Sequence, residues 1–243
     1  MFELSLLNFV VLSLAGILTG FINGVIGGGS LISYLALTAT GVPPVLAAST
    51  NTVGVVTGNP SALITPLRER QIQFRAWFPL AAMTAVGSVV GGYMLISLPE
   101  RVFEFLIPFL LIISGASVWI RPKRSEVQSR GLLPLLFGSG VYNGYFGPGQ
   151  GILNLSILYR GTTYEPATLV ILKNYIITAS NVVVSILFAV SNKVIWLVIP
   201  ILWIAVGLGG WLSHMVTRHL NEKILRIGLS SLAFSSSAYF LFS

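Results

Sequence analysis

The chain has 243 residues, of which 54% are hydrophobic and only 9% charged, whereas a soluble domain carries about 25% charged residues. A chain this apolar cannot dress a water-facing surface, which excludes a soluble globular protein and makes lipid the solvent for most of its length. The net charge of +7 would suggest nucleic acid in a soluble protein, but here the Lys and Arg residues sit in short loops between apolar stretches, where they set orientation and argue for no nucleic-acid partner.

The apolar stretches run in chain order from Leu4 to Ile26, Leu31 to Thr40, Val45 to Leu67, Ala76 to Leu98 and Val102 to Ile120. A basic linker, Arg121 to Arg130, divides the chain. After it come Leu132 to Phe146, Ile152 to Tyr159, Ala167 to Val190, Val194 to Val216 and Ile224 to Phe242. The first stretch lacks a basic leader region and a clear small-residue cleavage site, so no cleavable signal is expected. A span needs about 20 apolar residues. Leu31 to Thr40 and Ile152 to Tyr159 are too short to cross alone, and each follows a Gly-rich break.

The same order of pieces on either side of the linker predicts an internal repeat. An offset of 120 places Gly20, Asn23, Gly24, Gly27 and Gly29 on Gly140, Asn143, Gly144, Gly147 and Gly149. It also places Ala85-Val86-Gly87 on Ala205-Val206-Gly207, while Leu98-Pro99-Glu100-Arg101 matches Leu220-Asn221-Glu222-Lys223 at an offset of 122. The repeat gives residues 1–120, the linker 121–130 and residues 131–243 as the units of the chain.

Basic residues decide how the halves are oriented. If each broken pair is a re-entrant hairpin, each half has three full spans and the second half is inverted. With the linker inside, the inner side then carries Arg68, Arg70, Arg75, Arg121, Lys123, Arg124, Arg130, Arg160, Arg218, Lys223 and Arg226, while Arg101 and Lys193 lie outside. If each broken pair is instead one span, eight basic residues fall inside and five outside. Cytoplasmic loops are the basic ones, so the expected fold is an all-α polytopic membrane protein of two inverted repeats. Each repeat has a Gly-broken re-entrant helix pair plus three transmembrane helices, with both termini outside the cell membrane.

Irregular backbone at membrane depth must be buried in protein or line a cavity. The breaks at Gly27-Gly28-Gly29 and Gly147-Pro148-Gly149 are such places. A helix start exposes unpaired N–H groups, and glycine lets a ligand approach them closely. The candidate binding residues are therefore Asn23, Gly27, Gly28, Gly29, Ser30, Thr50 and Asn51 in the first half. In the second half they are Asn143, Gly147, Gly149, Gln150, Lys173 and Asn174. Ser30 also suits an N-cap, and Gly20/Gly24 and Gly140/Gly144 suit close helix packing. Lys173 is the sharpest candidate: it lies inside an apolar stretch with no acidic neighbour in sequence, and a charge there is functional by default. There is no Asp, no Glu falls centrally in a stretch, and there is no Cys. An anionic substrate is thus the natural partner for Lys173. His214 and His219 have the wrong spacing for a helical metal pair. No metal, cofactor or enzymatic chemistry is expected.

The stretch GVIGGGSLISYLAL followed by GVPPVLAASTN, repeated as GYFGPGQGILNLSIL and YEPATLVILKN, resembles the sulfite exporter TauE/SafE family. The resemblance covers essentially the whole chain. It implies a secondary transporter that exports sulfite or a small organosulfonate-type anion. The alternatives left by the residues are an anion channel and a carrier of another small solute. A homo-oligomer is compatible with either.

Overall fold

The computed structural model describes residues 5–25, 27–59, 74–119, 131–216 and 222–242. The expected linker lies outside the described residues, as does the end of the stretch expected from Val45 to Leu67. The described chain is all-helical. The first half holds α1 (Leu6–Val25), α2 (Ser30–Ala39), α3 (Pro44–Gly54), α4 (Phe74–Ser97) and α5 (Glu100–Ser117). The second holds α6 (Leu132–Tyr145), α7 (Gln150–Gly161), α8 (Pro166–Val190), α9 (Ile199–Val216) and α10 (Glu222–Phe242). Five of these helices are long and apolar enough to cross a membrane: α1, α4 from Trp77, α8, α9 together with the preceding turn from Trp196, and α10. Their outward faces carry large apolar side chains, such as Leu6, Tyr93, Ile186, Ile204 and Tyr239. Such faces suit lipid, not water.

Each Gly-rich break is the tip of a helical hairpin. In the first, the Thr19 hydroxyl on α1 donates to the Gly29 carbonyl at 3.0 Å and accepts from the Ser33 amide at 3.1 Å. These bonds fold α2 back along α1. In the second, Ser139 on α6, the counterpart of Thr19, donates to Asn154 on α7 at 2.7 Å. Four glycines at the tips have positive φ, namely Gly27, Gly28, Gly147 and Gly149. That region is open to glycine and costly for other residues, so the break is written into the backbone. Pro44 and Pro166 then open α3 and α8 at the first helical turn, where a missing N–H costs nothing.

The halves do not pack as separate units. α1 lies along α9, and α6 lies along α4. The glycines show why these pairs approach so closely. A Cβ built on Gly20 would lie 1.9 Å from the Val206 carbonyl oxygen, and one on Gly144 1.9 Å from that of Ser88. Contacts advance in the same direction along both members, from Gly16 against Ala205 to Gly24 against Ser213, so α1 and α9 run parallel. α5 and α10 run antiparallel: Ser237 donates to the Pro108 carbonyl at 2.9 Å, and Arg226 reaches the Val118 carbonyl at the other end.

The packing also corrects the register read from sequence. Gly20 meets Val206 and Gly210 as Gly140 meets Thr84 and Ser88. The equivalent of Gly87 is therefore Gly209, which meets Ile17 as Gly87 meets Phe137, and not Gly207. The offset changes from 120 to 122 in the turn after the short helix. Gly41 is followed by Pro44 at α3, whereas Gly161 is followed by Pro166 at α8. The second half has two more residues there.

Candidate functional site

The two hairpin tips meet. A Cβ built on Gly27 would lie 3.3 Å from the Gly151 carbonyl carbon, so the first break rests against the start of α7. Around this junction is a cavity of about 30 Å³, room for roughly one or two water-sized groups. From the tips and helix starts, Asn23, Gly27, Gly28 and Ser30 line it on one side, and Asn143, Gly147, Gln150 and Gly151 on the other. The rest of the wall comes from two helices. α3 and the turn that continues it supply Asn51, Thr52, Val55 and Asn59, and α8 supplies Lys173, Ile177 and Asn181.

Nine of the residues expected from sequence are thus brought together: Asn23, Gly27, Gly28, Ser30, Asn51, Asn143, Gly147, Gln150 and Lys173. Four lie outside the lining. Gly29 packs its backbone on Thr19 and Asn23 of α1. Gly149 is the left-handed residue before α7, against Ser114. The Thr50 hydroxyl accepts from the Ile195 amide at 3.0 Å and so ties α3 to the loop before α9. Asn174 is buried beside Lys173 with its Oδ1 unpartnered. Ser30 is the first residue of α2 and not its N-cap; Gly29 holds that position.

The polar lining falls into two groups. One set of amides is committed to architecture. Asn51 accepts from Ser33 at 2.5 Å and donates to the Ser30 carbonyl at 3.1 Å, fixing α3 to the start of α2. Asn143 donates to Asn181 at 2.9 Å and to Ser88 at 3.2 Å, joining α6 to α8 and α4. The other set is held in place without partners. Lys173 is 1% exposed and has neither an ion pair nor a hydrogen bond among the described residues. The one ion pair among them joins Lys193 to Glu100 at 3.5 Å, on the exposed surface. Gln150 is also buried, and its Nε2 finds no acceptor among the described residues. Buried polar groups are nearly always bonded. An ammonium and an amide N–H, neither with an acceptor among the described residues, thus line one cavity beside two helix starts.

The sequence analysis did not single out Thr52, Val55, Asn59, Gly151, Ile177 or Asn181 as lining residues. The missing signal was that the offset of 122 already holds from Pro44 and Pro166 onward. At that offset Asn51, Val55 and Asn59 fall on Lys173, Ile177 and Asn181, spaced four residues apart along one helical face. The cavity is built from these equivalent triplets, and its halves differ most at the first position, where one has an amide and the other a charge.

A profile of the sulfite exporter TauE/SafE family matches residues 12–240. The chain belongs to the sulfite exporter TauE/SafE family. Three relatives are similar along much or most of the chain. A probable membrane transporter protein of Haemophilus influenzae is 30% identical over 237 residues, 94% of this chain and 92% of that protein. Probable membrane transporter protein YfcA of Escherichia coli is 28% identical over 233 residues, 93% and 87% of the two chains. Probable membrane transporter protein ORF9 of a Sinorhizobium species is 31% identical over 150 residues, 58% of this chain and 56% of that protein. No solved structure matches. Membership of the TauE/SafE family, with its membrane transporter relatives and the five candidate spans, makes this a membrane transport protein.

Proposed function

We propose that the protein is a secondary carrier that exports a small anion, such as sulfite or an organosulfonate, held where the two hairpin tips meet. The observation that carries this reading is Lys173: a buried ammonium with no counter-ion in the described chain, facing a cavity with the unpartnered Nε2 of Gln150. An isolated buried charge is costly, and an anion is the group that would offset it. The N–H groups at the starts of α2 and α7 add directional donors. The small volume favours a carrier over an open channel. Even a compact oxyanion needs the tips to separate, so binding is linked to movement of the hairpins. Proteoliposomes loaded with sulfite or methanesulfonate should take up the labelled anion saturably, and faster when the same anion is inside. Uptake that rises linearly with concentration and ignores the anion inside would make the protein a channel.

The same reading sets the halves in opposite senses across the cell membrane, with the 121–130 linker cytoplasmic and both termini outside. Two observations support it: the basic residues gather on one side in that arrangement, and α5 runs antiparallel to its counterpart α10. Halves repeated in the same sense would place those two helices parallel. An axis in the membrane plane puts the meeting point of the tips near the bilayer centre, as in other inverted-repeat carriers. The chain has no cysteine, so single cysteines can report the topology. Ser125→Cys and Ser243→Cys should label from opposite sides; labelling from the same side would refute the inversion.

A further inference from the structure

Among the described residues, the cavity wall contains many amides, one cation and no carboxylate. Glu100, Glu104, Glu165 and Arg160 are exposed on the surface, and Lys193 is half-buried there against Glu100. The starts of α2 and α7 add positive partial charge, but each follows within a few residues the C-terminal end of α1 or α6, whose partial charge has the opposite sign. At each tip the two ends offset one another, and the N–H groups contribute direction more than net charge. Opposite Lys173, the repeat places Asn51, a neutral residue already bonded to α2. The net charge presented to a ligand is therefore that of a single ammonium.

Resting on the reading of this cavity as an anion site, we propose that it selects by valence, taking oxyanions with one negative charge and rejecting those with two, and that the single cation Lys173 sets this choice. A monoanion brings the cavity to neutrality. A dianion of the same size leaves one negative charge uncompensated among amides and apolar side chains such as Val55 and Ile177, where water cannot screen it. For a solute that exists in both forms, the singly charged one is the species carried: hydrogen sulfite, not the sulfite dianion.

Methanesulfonate and sulfate are close in shape and differ by one charge, so calorimetry with the purified full-length protein can separate valence from size. The wild type should bind methanesulfonate about a hundredfold or more tightly than sulfate, the factor expected of an uncompensated buried charge. Sulfate is also the more strongly hydrated ion, so the decisive comparison is Gln150→Lys. It adds a second cation where the amide donor makes no bond and should narrow the preference about tenfold or more by strengthening sulfate; hydration alone would leave the ratio unmoved. The double variant Lys173→Gln/Gln150→Lys restores a single charge and should bind methanesulfonate while still rejecting sulfate. Equal binding of the two anions by the wild type overturns the proposal, as does an unchanged ratio in Gln150→Lys. If the wild type binds neither anion, the anion site itself is refuted, and the valence rule falls with it.

Discussion

Lys173→Met is expected to remove anion binding while leaving the protein folded. The side chain is buried, has no partner among the described residues, and lines the cavity with Gln150. Methionine is close in volume and carries no charge, so packing survives and the electrostatic contribution does not. Truncating one member of a buried charged pair costs about 2–5 kcal/mol of binding. The ligand-free variant should melt no lower than the wild type, and could melt higher, because an uncompensated buried charge is removed. Saturating anion should raise the melting temperature of the wild type and leave that of the variant unmoved. Lys173→Arg keeps the charge in a larger, planar group and should retain part of the affinity. Equal affinities of wild type and Lys173→Met by calorimetry would place the binding determinant elsewhere.

The second large effect is structural. Gly144→Ala should abolish the folded state, or cost about 3 kcal/mol or more, beyond ordinary overpacking. The added methyl would sit 1.9 Å from the Ser88 carbonyl oxygen and 2.5 Å from the Gly92 amide nitrogen. Both are backbone atoms of α4, so no rotamer change relieves the clash and the helices must separate. Gly20→Ala meets the same obstacle at Val206 and Gly210. Gly138 lies on the same helix as Gly144 with nothing within 4 Å of its Cβ position. Gly138→Ala should therefore be neutral or stabilising by up to about 1 kcal/mol, since alanine favours helix. The fraction of monodisperse protein after detergent extraction, with its melting temperature, distinguishes these outcomes. A stable Gly144→Ala would mean that the helices are not in the close contact described.

What the sequence made legible was the part governed by local chemistry. Gly-rich breaks predicted interrupted helices because runs of glycine are poor helix formers and tolerate positive φ, and Gly27, Gly28, Gly147 and Gly149 adopt it. Lys173 stood out because a lone cation in an apolar stretch has no local excuse. The missed residues belong to long-range geometry. Asn59 is one amide among several until the two-residue insertion before Pro166 is known; only then does it fall on Asn181. Thr50 looked like a ligand because it lies beside Asn51, yet the two side chains point to different neighbours, one to the loop at Ile195 and the other to α2. Nor could sequence distinguish the bonded amide of Asn143 from the unpartnered amide of Gln150. That difference depends on α4 and α8 bringing Ser88 and Asn181 into reach.

The exchange of helices between halves has a consequence for how the chain is made. Gly20 waits for Val206, which is synthesised near the end of translation. Until then the glycine seam of α1 lacks its partner helix, and the first hairpin tip has no mate until Gly151 follows. α6 is better served, because α4 precedes it and is ready when Gly144 emerges. Biogenesis is therefore staggered: insertion proceeds segment by segment, the seam between α4 and α6 closes first, and the seam between α1 and α9 closes last. A nascent chain arrested before α9 carries an open groove along α1, the kind of exposed surface that membrane quality control is placed to detect.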